Sequence, residues 1–219
     1  MAGRIAYLGN IVTQGLVLDL DAAKKESYPG TGTSWNDISG NNINGTLVNG
    51  PTFDTGFGGS IVFDGTNDYA NLSNPTSLQN LSEGTISMWL NRTATTATYQ
   101  MMFTDDVSNL ELSFLSNNLR FYIGNSNTLD YPLSTLNTWF MVTGVWSTSG
   151  NYKNLYVNSV LVRTSTNSLN TLSNIRYIGS RAGSFPFAGN ISTTQIYTRA
   201  LSQAEVTQNF NVYRSRYGI

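Results

Sequence analysis

Short strand-type runs recur along most of this chain with no helical pattern between them, and that limits the fold more than anything else in the sequence. Parallel strands need long, usually helical crossovers, whereas antiparallel strands are joined by tight turns. The stretch Gly59–Ala70, GSIVFDGTNDYA, sets the theme. Ser60–Phe63 is β-branched and aromatic, the composition of a half-buried strand. Asp64-Gly65 turns the chain, because glycine supplies a positive φ and aspartate bonds its own backbone. Asn67 and Asp68 continue the turn, and Tyr69–Leu72 returns as a second strand.

The same reading extends in both directions. Leu16–Leu20, Gly45–Asn49, Thr85–Leu90, Tyr99–Phe103, Leu110–Leu115, Leu119–Ile123 and Trp139–Trp146 are predicted strands. Leu155–Val157, Val160–Arg163, Ile175–Ile178 and Asn190–Tyr197 complete the set. Asn117-Asn118 and Asn158-Ser159 read as hairpin turns. Trp35-Asn36-Asp37-Ile38-Ser39-Gly40-Asn41 reads as a polar turn around one aromatic. Only the end differs. Ser202 with Glu205 fits a capping box, and Leu201 against Val206 fits a hydrophobic staple. Val206, Phe210 and Tyr213 fall on one helical stripe, and Arg214 and Arg216 suit the helix dipole. The pattern predicts an all-β fold: an antiparallel two-sheet sandwich of jelly-roll type with a C-terminal helix. One domain spans residues 15–219, preceded by an arm, residues 1–14, whose apolar positions allow it to add to the domain or to dock as an anchor.

Composition removes several functions. The formal net charge is −1 and charged residues are 11% of the chain, so the basic face of a nucleic-acid binder is missing. No apolar run approaches the roughly 20 residues of a membrane helix. The N-terminus lacks the apolar core of a secretory signal. There is no Cys and no His, which rules out thiolate chemistry and the usual general base. Polarity is carried by Asn, Ser and Thr, which suits variable salt or contact with sugars and equally follows from abundant exposed polar loops.

The landmarks LVLDLDAA, GGSIVFDGTNDYANL, TISMWL, LYVN and FAGNISTTQIYTRALSQAEVTQNFN follow one another in order. Together they resemble laminin-G-like, concanavalin A-like lectin/glucanase domains, above all those of tailed-phage virion proteins. The resemblance covers Gly15 to Gly218, and its last element is the most specific. It implies two curved antiparallel sheets and a carbohydrate- or protein-binding role. It also implies a structural place on a virion: capsid decoration, head fibre or tail-fibre tip. The partners would be other capsid or tail proteins and cell-surface glycans, with a homo-oligomer compatible with such a role. A free carbohydrate-binding module is the alternative, and a glycoside hydrolase a weaker one. Many relatives carry an acidic residue early in the last strand, where this chain has Ser192.

The candidate site residues follow from chemistry. Asp64 and Asp68 share one turn with Asn67 and backbone carbonyls, an oxygen-rich setting for calcium. Asp19, Asp21 and Asp37 are further acidic candidates. Trp35, Tyr99, Tyr122 and Tyr131 lie on or near loops, where aromatic rings stack on sugars. Glycoside hydrolysis needs a pair of carboxylates. Glu26, Glu83, Glu111 and Glu205 are each isolated, so the expectation is a protein without catalytic residues.

Overall fold

In a computed structural model, the structure describes residues 9–73, 75–96, 98–107, 109–124, 128–166 and 175–219. The strands are β1 (Leu16–Asp21), β2 (Ser34–Trp35), β3 (Gly45–Val48), β4 (Thr52–Asp54), β5 (Ser60–Asp64), β6 (Tyr69–Asn71), β7 (Glu83–Arg92) and β8 (Tyr99–Asp105). There follow β9 (Leu110–Leu115), β10 (Asn118–Ile123), β11 (Leu129–Pro132), β12 (Trp139–Ser147), β13 (Tyr152–Val157), β14 (Val160–Ser165), β15 (Ile175–Ile178) and β16 (Ala188–Tyr197). Helix α1 (Gln203–Tyr213) runs into a 3-10 turn, Arg214–Tyr217.

Every ladder is antiparallel, as the missing crossovers require. The first sheet runs β14-β13-β12-β7-β16-β5-β4, and the second runs β11-β10-β9-β8-β15-β6-β3-β2. Strand β16 has two partners on one flank: Ala188–Ile191 pairs with β5, and residues 193–197 pair with β1. The two sheets face each other across a core that includes Ile86, Met88 and Leu90 from β7 and Leu112 and Phe114 from β9. They approach closely at Gly144, where an added Cβ would sit 2.6 Å from the Phe121 ring of the opposite sheet. At Gly179, with φ +87°, a Cβ would fall 2.3 Å from the Phe63 ring. Neither position accepts a side chain without displacing an aromatic ring.

The turns behave as their residues predict, with one shift. Asn158 and Ser159 both have positive φ, 48° and 64°, as a two-residue hairpin of the primed type requires. The other hairpin turns one residue earlier than predicted. Ser116 takes the positive φ, and Asn118 already opens β10.

Within the leading arm, residues Asn10–Gln14 are bonded to the domain, one of the two courses its apolar positions allow. Val12 is buried. Its N–H donates to Asn209 Oδ1 at 2.9 Å, and its carbonyl accepts from Tyr197 Oη at 3.0 Å. Gln208 Nε2 donates to the Asn10 carbonyl at 2.8 Å, and Arg199 Nε to the Gln14 carbonyl at 2.9 Å. The capping box is formed, with Ser202 N–H donating to Glu205 Oε2 at 2.8 Å. Met1–Leu8 lie outside the described residues.

Candidate functional site

The outer faces of the two sheets differ. On the first sheet, Trp89, Trp139, Met141, Val145 and Tyr197 meet Leu201, Val206, Phe210, Tyr213 and Tyr217 in a second apolar core. Trp89 is stacked on Tyr217 at 4.3 Å and on Phe210 at 5.6 Å between ring centroids. Arg216 closes this layer with two bonds to Asp21, at 2.8 and 3.0 Å. Asp21 is fully buried, so the arginine neutralises a carboxylate that has left water. That replaces the predicted dipole role for Arg216.

The second sheet has no helix packed on its outer face among the described residues. Alternation decides which side chains stand there. In β10, Leu119, Phe121 and Ile123 point into the core, which sends Arg120 and Tyr122 outward. Register then builds a row across the strands. Tyr122 lies opposite Glu111, Glu111 opposite Thr104, Thr104 opposite Tyr177, and Tyr177 opposite Asn71. Every member of the row can hydrogen-bond.

At one end of this face Tyr99, Glu111, Arg120, Tyr122 and Thr128 line an open cavity of about 280 Å³. Arg120 organises it. Its Nε donates to Asp130 Oδ1 at 2.8 Å, its Nη2 to Thr128 Oγ1 at 3.2 Å, and its Nη1 to the Tyr99 hydroxyl. Arg120 and Asp130 are direct cross-strand partners, so the pair costs no backbone adjustment. The Tyr99 ring also meets Phe185 edge-on at 5.9 Å, and Arg181 lies over Phe185 at 4.9 Å. Ser113, directly opposite Arg120 in register, has a buried hydroxyl with no hydrogen-bond partner. The cavity thus combines aromatic surface, a fixed cation, a carboxylate and hydroxyls, the mixture that holds polyhydroxylated ligands.

The predicted aromatics separate. Tyr99 and Tyr122 come together in the cavity. Trp35 does not join them: it is fully buried in β2, packed in the core, and offers no face to a ligand. Tyr131 alternates to the inner side of β11, packs against the core and is covered by Arg163 at 5.2 Å. Sequence reading did not assign Arg120 or Thr128 to the site; only strand register brings them beside Tyr99 and Glu111.

Asp64 and Asp68 are occupied by their own turn. Asp64 Oδ1 accepts from Thr66 N–H at 2.7 Å, and Asp68 Oδ2 accepts from Asp64 N–H at 3.0 Å. Burial pushes the Asp68 carboxyl above its usual range. Among the described residues no group of three or more His, Cys, Asp or Glu side chains comes together to hold a metal ion. Two carboxylates already bonded to backbone fall short of the roughly six oxygens calcium takes, so this turn does not fit the ion as it stands. Asp19, Asp21 and Asp37 are likewise occupied, by Gln195, Arg216 and backbone amides. Ser192 donates to the Gly59 carbonyl at 2.7 Å, tying β16 to the glycine-rich loop.

Comparison with known proteins places this architecture. Residues 64–207 match the concanavalin A-like lectin/glucanases superfamily, in its laminin G-like form, and the chain belongs to that family. No curated protein matches the chain. Among solved structures, the receptor-binding domain of botulinum neurotoxin C/D mosaic serotype is similar, with a TM-score of 0.71 at 16% identity over 91% of this chain and 51% of that one. The Trypanosoma rangeli sialidase in complex with sialic acid has a TM-score of 0.73 at 14% identity, covering 96% of this chain and 35% of that one. The binding domain of Paraclostridial Mosquitocidal Protein 1 has a TM-score of 0.69 at 18% identity, covering 91% of this chain and 52% of that one. At these identities the likeness concerns the fold. This chain spans about half of the toxin domains or less of the sialidase.

Proposed function

We propose that this chain is a non-enzymatic, lectin-like binding domain that contacts glycans through the outer face of its second sheet, at the cavity of Tyr99, Glu111, Arg120, Tyr122 and Thr128. The observation that carries the reading is the contrast between one sheet sealed by α1 and one left open with an aromatic and hydroxyl-bearing cavity. Similar solved structures are named as a receptor-binding domain and a binding domain, which is consistent with it. The lining holds a single carboxylate, Glu111, where glycoside hydrolysis needs a pair, and this favours binding over turnover. A glycan array probed with the purified protein tests it. Binding that Tyr122→Ala weakens at least tenfold supports the site, while release of reducing sugar from any bound glycan would overturn the non-enzymatic reading. Repeating the array with a chelator tests whether binding needs calcium, and the same comparison in Asp64→Asn and Asp68→Asn tests whether that need lies in their turn; unchanged chelator sensitivity in these variants puts the ion elsewhere.

The wider setting is a virion surface, where the domain decorates the particle or adsorbs to a host. Its support is the full-length resemblance of the sequence landmarks. Attachment through the leading segment is tested by deleting Met1–Gly9, which spares the residues that hold Val12 in the domain. Loss of the truncated protein from purified particles is the expected result.

A further inference from the structure

A second cleft lies on the sealed side of the sandwich and shares no lining residue with the tyrosine-lined cavity. It measures about 460 Å³, within the roughly 300–1,000 Å³ of small-molecule sites. The leading arm, β1, the loop after β2 and the end of α1 border it. Ile11, Leu16, Ile38 and Val212, all half-buried, form its walls. The Tyr213 ring in the lining is covered by Arg216 at 4.9 Å. A sugar ring stacks on an open aromatic face, whereas these branched walls fit an aliphatic body.

The charges in and around the cleft are unevenly spent. Asp21 is matched by its two bonds from Arg216. Asp37 accepts from the N–H groups of Asp19, Ser39 and Ile43. Asp19 is different. It lines the cleft at 4% exposure, and Gln195 Nε2 donates to its Oδ1 at 3.1 Å. Among the described residues no donor reaches its Oδ2. Burial pushes the Asp19 carboxyl above its usual range, as expected of a charge that has lost water without a full replacement. The Lys24 charge partly opposes that rise, yet among the described residues no ion pair joins the two. Lys24 also lines the cleft, with a side chain 45% exposed, and reaches Asp21 Oδ2 only at 4.0 Å. Gln195 Nε2 donates to the Tyr213 hydroxyl as well, at 3.1 Å, which holds carboxylate and phenol side by side. The cleft therefore sets a buried anion with one open oxygen near a loosely held cation.

A ligand that satisfies both carries a positive N–H donor at one end and a carboxylate at the other, with an apolar group for the walls. A neutral sugar supplies neither charge. A simple amine leaves Lys24 unmatched, and a fatty acid leaves Asp19 unmatched. We infer that the cleft binds a free aliphatic α-amino acid, with its ammonium on Asp19 Oδ2, its carboxylate on Lys24 and its side chain against Ile11, Leu16, Ile38 and Val212. This inference stands apart from the glycan reading, since the two sites use different residues.

Titration of the full chain followed by its amide NMR spectrum tests it, with L-leucine, N-acetyl-L-leucine and L-leucinamide as probes. Leucine is expected to bind, and each blocked form to bind about tenfold more weakly or worse. Asp19→Asn keeps the size and an oxygen for Gln195, and is expected to weaken leucine by about tenfold or more. Lys24→Ala is expected to weaken leucine and leave leucinamide unchanged. Equal leucine affinity in the parent and in folded Asp19→Asn would overturn the inference. So would the absence of any shift with leucine, isoleucine and valine at millimolar concentration, or leucinamide bound as tightly as leucine. Melting temperatures show which variants are folded. Lys24→Ala, on a half-exposed side chain, carries the test should Asp19→Asn fail to fold. Tyr122→Ala is expected to leave leucine binding unchanged, so failure of this site and failure of the glycan site are read separately.

Discussion

The outer faces of the two sheets start from the same alternation and arrive at opposite surfaces. On β7 and β12 the outward positions hold Trp89, Trp139, Met141 and Val145, and a helix with a buried stripe closes over them. On β9 and β10 the outward positions hold Glu111, Ser113, Arg120 and Tyr122, and among the described residues no helix covers them. The contrast separates apolar area that must leave water from aromatic area that stays wet beside hydroxyls and charge. On the function proposed above, one face supports stability and the other recognition, so substitutions on the two faces are expected to fail in different assays.

The largest effect is expected on the closed face. Trp89→Ala removes the ring stacked between Phe210 and Tyr217 and is predicted to cost about 3–5 kcal/mol, read as a lower midpoint in urea with glycan binding retained while the protein is folded. Arg216→Ala strands the buried Asp21 carboxylate and is predicted to cost about 3 kcal/mol in the same measurement. Gly144→Val, between the faces, forces a branched side chain against the Phe121 ring and is predicted to cost about 1–3 kcal/mol.

A smaller effect belongs to acid. Hydrogen bonds from Arg199 hold the Glu205 carboxyl down at about 2, below its ordinary 4.5. A depressed folded-state value means the contribution is fully present above about 4.5 and is lost as pH falls towards 2. Melting curves of the parent and Glu205→Gln are expected to differ at neutral pH and to converge near pH 2. The smallest stability effect is expected on the open face. Tyr122→Ala is predicted to change stability by no more than about 0.5 kcal/mol while weakening glycan binding. A large loss of stability there would break the division of labour between the faces.

Much of this architecture is legible in the residues. Runs such as Thr85–Leu90 and Trp139–Trp146 announce themselves because their apolar atoms have nowhere to go but a core. The capping box at Ser202 is legible because its chemistry is local. The short strands β2, β4 and β11 are not, since two to four residues carry too little pattern and are recruited by the ladder of a neighbour. Trp35 reads as a loop aromatic because its flanks, Ser34 and Asn36-Asp37, are polar; those flanks serve the turn while the ring enters the core. In the cavity, Tyr99 and Tyr122 are chosen by residue type, but Arg120 and Thr128 enter through register and reach. The Asp21–Arg216 pair lies 195 positions apart in the chain, beyond any local signal.

The strap from Asn10 to Gln14 has a geometric consequence. It runs along α1, held by Gln208 and Asn209, on the sealed side of the sandwich. The described chain therefore begins on the face opposite the tyrosine-lined cavity, and a fusion partner attached directly at Asn10 would leave that cavity uncovered.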